Sequence, residues 1–222
     1  MTYLRSTILA LFAASTFAQA GIIYGDAAGT ADDTVTSQEH FDIKSVEVSN
    51  TGTLLRFKIN VGAPPTASGG ARYLIALDCD PKLSSSGSPP PMWFERITMP
   101  GSDYFLMDGM DSGDDEFWRW SQANQSWSAL ESIPTTSSAG NSFTFEVLNS
   151  DLPTGVSTIK FDVYTSYDGA GGAVDALSSP NQLTAGSPYI TSEGFSYTLT
   201  AVPEPAHYGL ICAAGLIGIA SF

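Results

Sequence analysis

This sequence predicts an all-β fold, a single antiparallel β-sandwich, on three observations. Short runs alternate apolar and polar residues with period two, as Leu55, Phe57, Ile59 and Val61 do against Arg56, Lys58 and Asn60. Clusters of Gly, Pro, Asn and Asp break the chain between those runs. Between Gly21 and Ala201 no stretch carries the apolar period of an amphipathic helix. About ten short strands of this kind pack as two sheets face to face. A jelly roll or a closed barrel is the alternative.

The chain divides into residues 1–20, 21–201 and 202–222. Met1 to Ala20 has the layout of a secretory signal peptide: Arg5, an apolar run from Ile8 to Phe17, then Ala18-Gln19-Ala20 as a small-x-small cleavage site. Ile22-Ile23-Tyr24 is a candidate first strand, followed by an acidic loop with Asp26, Asp32 and Asp33. Phe41 to Val48 reads as a strand with an irregularity near Ser45, and Ser49-Asn50-Thr51-Gly52 is turn chemistry. Leu54 to Val61 completes a hairpin with it. Tyr73, Ile75, Leu77 and Cys79 then share one face of a strand, with Leu74, Ala76 and Asp78 on the other.

After a Ser/Pro loop, Met92 to Met99 and Asp103 to Met107 are further strands. Asp108 to Glu116 is a Gly/Asp loop. Phe117 to Trp120 and the segment around Trp127 flank a polar turn and predict a second hairpin. Phe143 to Val147 alternates, as does Ile159 to Tyr164. Asp168 to Pro188 reads as a long Gly/Ala/Ser loop. Phe195, Tyr197 and Leu199 lie on one face of a last strand.

Composition narrows the function. A net charge of −14 argues against nucleic acid and against electrostatic attraction to anionic lipid. The two cysteines are Cys79 and Cys212, and Cys212 sits in the apolar tail. Cys79 is therefore expected as a small buried apolar residue rather than half of a disulfide. One histidine, His40, lies in the domain, no Ser/His/Asp set around it is convincing, and no catalytic residues are assigned.

Two chemistries remain. Trp93, Trp118, Trp120 and Trp127 are candidates for a carbohydrate platform, because pyranose rings stack on flat aromatic faces; the alternative is a Trp-rich core. On an extended strand Trp118 and Trp120 point the same way and Phe117 and Arg119 the other. Asp78 and Asp80, and separately Asp108, Asp111 and Asp114 with Asp115 and Glu116, are candidate calcium ligands, since calcium takes six to eight hard oxygens. The alternative for each is a solvated acidic loop.

The C-terminal segment is the most specific signal. Val202-Pro203-Glu204-Pro205 is followed by an uncharged apolar run, His207 aside, from Ala206 to Phe222. Seventeen helical residues span about 26 Å, the short end of what crosses a bilayer. Motif and run together resemble the PEP-CTERM sorting signal of Gram-negative bacteria. That resemblance implies an exosortase-type sorting enzyme as partner, transient membrane anchoring, and delivery to the cell surface or extracellular matrix. The family's terminal Arg/Lys cluster is missing here, where the sequence ends Ala220-Ser221-Phe222. In the domain, Gly25-Asp26, Phe41-Asp42-Ile43, Leu54 to Ile59 and Leu77-Asp78-Cys79-Asp80-Pro81 are similar to DOMON-like and family-nine carbohydrate-binding sandwiches. Such domains are non-catalytic and bind sugars or sometimes haem. This chain has no haem-attachment motif. A non-catalytic protein associated with extracellular polysaccharide is the expectation, against a purely structural matrix protein or a glycan-active enzyme.

Overall fold

The computed structural model describes residues 20–27, 38–67, 69–79, 97–110, 115–121, 123–130, 134–167, 173–179, 190–191 and 193–200. The signal segment through Ala18, the motif Val202 to Pro205 with its apolar tail, and Trp93, Asp80, Asp111 and Asp114 lie outside the described residues. Ala20 is the first residue described, and it is exposed.

The strands in chain order are β1 Ile22–Gly25, β2 Ile43–Asn50, β3 Leu54–Val61, β4 Arg72–Asp78, β5 Ile97–Thr98, β6 Tyr104–Gly109 and β7 Glu116–Ser121. There follow β8 Ser126–Ala129, β9 Thr135–Ala139, β10 Ser142–Leu148, β11 Thr158–Ser166, β12 Ala173–Ala176, β13 Ile190–Thr191 and β14 Phe195–Thr198. They form an all-β sandwich of two antiparallel sheets. The first has the order β1-β2-β3-β10-β9. The second has the order β12-β11-β4-β6-β7-β8, with β14 also paired to β11. β5 and β13 make a separate parallel pair.

The expected β2–β3 hairpin forms, with its register shift between Ile43 and Ser45. Ser45 is where the apolar alternation breaks, and an extra residue there restores Val46 and Val48 to the inner face. Ile43, Val46, Val48, Leu55, Phe57, Ile59, Phe143, Phe145 and Val147 are buried from the first sheet. They meet Tyr73, Ile75, Leu77, Tyr104, Leu106, Phe117, Ile159, Phe161, Val163 and Tyr197 from the second. Burying each Leu, Ile or Phe here stabilises by about 1.5–3 kcal/mol. Cys79 is buried in the same core. The outward face of the first sheet is polar, with Arg56 on β3 paired to Glu146 on β10.

The second sheet differs: its outer face is apolar too. Leu74, Ala76, Phe105, Met107, Tyr164, Ala173 and Ala176 are buried there together with Met99, which directly follows β5. The run Tyr73-Leu74-Ile75-Ala76-Leu77 is thus a strand covered on both sides. Gly194 sits at φ +65°, and a Cβ there would come within 2.8 Å of both Met99 Sδ and the Phe161 carbonyl oxygen. The chain therefore passes the sheet at a distance only glycine allows.

Side chains tie the two layers. Asp175 on β12 accepts the Ile43 N–H of β2 at 2.6 Å. The Thr165 hydroxyl donates to the Phe41 carbonyl at 2.6 Å, and the Tyr73 hydroxyl to the His40 carbonyl at 2.7 Å. At the far end of β2, Asn50 holds the last strand. Its Oδ1 accepts the Tyr197 hydroxyl at 2.8 Å and the Thr200 N–H at 3.2 Å, while its Nδ2 donates to the Thr200 carbonyl at 3.0 Å.

Three strands depart from the expectation, one of them the short β13, which lies between the expected loop and the expected last strand. β9 lies in Thr135-Thr136-Ser137-Ser138-Ala139, which has no apolar alternation, and it forms because β10 offers a free edge. β12 falls inside the expected long loop of 168–188, where Ala173 to Ala176 pairs with the end of β11. Of the strand expected over 92–99, the described part is β5.

Candidate functional site

The pairing register of the second sheet assembles one aromatic face. In β7, Phe117 is buried in the inter-sheet core while Trp118 and Trp120 project from the opposite, outer face. Trp120 stands opposite Trp127 across the β7–β8 hairpin, and Trp118 stands opposite Phe105 on β6. The Trp120 and Trp127 rings meet edge to face, with centroids 5.5 Å apart at 62°. Trp127 and Phe105 meet at 6.5 Å and 60°. Trp118 and Trp127 pack at the margin of the outer apolar cluster. All three Trp side chains are half-buried, so each is seated on the sheet and still presents surface.

The polar groups around this face follow from the same register. The Trp118 indole N–H donates to Glu116 at 2.8 Å, two residues back on its own strand. Trp120 N–H donates to the Asp103 carbonyl oxygen at 2.8 Å, which places the start of β6 beside the Trp120–Trp127 pair. Trp127 Nε1 is buried and has no hydrogen-bond partner among the described residues. An unpaired buried donor costs about 1–3 kcal/mol, so a ligand acceptor that reached it would recover that amount. Arg119 projects on the other side of β7, with its guanidinium 5.8 Å from the Tyr104 ring centroid, and is not part of the platform.

The candidate metal ligands separate. Asp78 is half-buried at the end of β4, opposite Lys160 on β11. Asp108 is buried at the other end of the sheet, at the close of β6. It lies beside Asp115, which accepts the Thr136 hydroxyl at 3.2 Å. Burial, then a hydrogen bond with Asp115, push Asp108 up to about 6; Thr136 pulls the other way. Among the described residues two carboxyls and a hydroxyl meet here, fewer than the six to eight oxygens calcium takes; Asp111 and Asp114 lie outside those residues. Among the described residues no three His, Cys, Asp or Glu side chains come together to hold a metal ion.

The other buried acids serve the backbone. Asp103 accepts Cys79 N–H at 2.9 Å, and Asp162 accepts Ser178 N–H at 3.1 Å and its hydroxyl at 2.6 Å. Asp175 accepts Ala176 N–H at 2.7 Å besides that of Ile43.

Sequence reasoning places Trp118 and Trp120 on one face, and it misses Phe105. The signal for Phe105 is the β6–β7 register, which depends on two strands separated by a loop. No protein-family model matches this chain, and none of the curated proteins matches it in sequence.

Proposed function

We propose that this is an exported, non-catalytic β-sandwich protein, sorted to the cell surface or extracellular matrix of a Gram-negative bacterium, that holds polysaccharide on the outer face of its second sheet. The observation that carries the glycan reading is the grouping of Trp118, Trp120 and Trp127 on one face beside Phe105. Exposed aromatic surface of this kind suits the apolar C–H face of a sugar ring, and Glu116 offers a hydroxyl partner at its margin. The sorting reading rests on Val202 to Pro205, the apolar run after it, and the N-terminal segment with Ala18 and Ala20.

A second reading, a structural matrix protein with no glycan ligand, is favoured by one observation: Trp118 and Trp127 pack against the outer apolar cluster and are half-buried. Intrinsic Trp fluorescence of the domain 21–201, titrated with exopolysaccharide purified from the native host, separates the two. A saturable shift that vanishes in Trp118→Ala and Trp120→Ala supports binding at this face. No shift, in a folded domain whose Trp emission resists quencher, leaves the structural reading.

A further inference from the structure

Both ends of the described domain leave the sandwich at one place. β1 begins at Ile22, opposite Val48 near the end of β2. β2 ends at Asn50, whose side-chain amide grips both the N–H and the carbonyl of Thr200. Ala20 and Thr200, the first and last described residues, therefore lie at the same end of the same strand pair. Beyond each, the sequence turns apolar within a few residues: backwards from Phe17, and forwards from Ala206. Residues 201–205, stiffened by Pro203 and Pro205, reach at most about 20 Å at ~3.3–3.6 Å per residue.

Among the described residues the exposed large hydrophobic side chains fall at this same end. Ile22 is 45% exposed, Ile23 68% and Leu148 47%. Ile22 and Ile23 face Val48 and Glu47, and Leu148 faces Leu54, the first residue of β3. The turns between them, Thr51-Gly52-Thr53 and Asn149-Ser150-Asp151, hold one carboxylate in a chain of net charge −14. Elsewhere the outward face of the first sheet is charged, as at Arg56 and Glu146.

We propose that this end of the sandwich rests on the surface of a lipid bilayer while the C-terminal segment is inserted. The proposal rests on the reading of 202–222 as membrane-directed, and it adds the orientation and the surface that touch the membrane. Aliphatic side chains on separate strands, beside turns that hold a single carboxylate, suit the boundary between headgroups and acyl chains. The tether makes weak contacts count. With the tail in the membrane, this end is held within about 20 Å of the surface and samples it at high effective concentration.

The test is hydrogen exchange on the exported chain, tail included, reconstituted in vesicles of phosphatidylethanolamine and phosphatidylcholine, compared with the domain 21–201 in solution. Amides at 22–24 and 147–152 are expected to exchange about tenfold more slowly on vesicles, with those of 138–142 at the opposite end of the first sheet unchanged. An Ile23→Asp/Leu148→Asp double variant should lose that protection and still float with the vesicles. A Gly/Ser insertion of about twelve residues after Ala201 should weaken the protection without touching the domain, so the test survives if the double variant misfolds. A chain that floats without protection at this end overturns the docking surface and leaves the tail reading standing. A chain that does not float overturns both. Protection that appears only in membranes containing a sorting enzyme assigns the surface to that enzyme and overturns the lipid assignment.

Discussion

Asp108→Asn is expected to make the domain more stable at neutral pH and to flatten its stability between pH 4 and 7. Asp108 is buried beside Asp115, and its carboxyl is pushed from an ordinary 3.8 up to about 6. The folded state thus keeps a proton that the unfolded chain gives up. The stabilisation from that proton is fully present below the unfolded value and is lost as pH rises through the folded one. A shift of about two units corresponds to about 3 kcal/mol at most. The proton is shared with a second carboxyl, so a gain of ~1–3 kcal/mol is expected for the variant at pH 7.5. Asn keeps the geometry, since its N–H can donate to Asp115 in place of the carboxyl proton. Urea unfolding of wild type and variant at half-unit steps from pH 4 to 8 measures this directly. Other carboxylates titrate in both proteins, so the difference between the two curves isolates position 108. Parallel curves, or a variant less stable at pH 7.5, would refute the argument that an ionised Asp108 burdens the fold.

Two further outcomes follow from the packing. Phe161→Ala removes a fully buried ring that touches Tyr24, Phe57 and Phe195 from three strands, and should cost about 3–5 kcal/mol in urea unfolding. Asn50→Ala should cost ~2–3 kcal/mol and strands the buried Tyr197 hydroxyl. Hydrogen exchange should then speed up over residues 195–200 before it does in β2 or β3.

How much of this was legible in the sequence depends on whether a contact is local. The β2–β3 hairpin, its break at Ser45 and the shared face of Trp118 and Trp120 follow from alternation within a few residues of each other. β9 carries no such signal, because Thr135 to Ala139 is polar on both sides and is placed by β10 alone. β12 hides in a run of small residues and is fixed by Asp175 reaching across to Ile43. Alternation puts Leu74 and Ala76 on the face opposite Tyr73, yet nothing nearby in the sequence says that this face is covered as well. The same limit governs the site. Phe105 joins the Trp group only through the β6–β7 register, whereas Asp108 and Asp115 already stand at the two ends of one acidic loop in the sequence.

The ties between the layers also set when the molecule can close. Ile43 and Asp175 are 132 residues apart, Asn50 and Thr200 are 150 apart, and Tyr24 and Ser196 are 172 apart. Closing loops of that length comes before the contacts that reward it, so folding should be slow for a protein of this size. A chain emerging from its N-terminus can form the β2–β3 hairpin early, but that hairpin's apolar face has no cover until β4 and β11 arrive. Tyr197 and the Asn50 clamp come later still. The sandwich therefore seals only after residue 200 has cleared whatever synthesises or translocates it, and the half-made core must be kept from its neighbours until then.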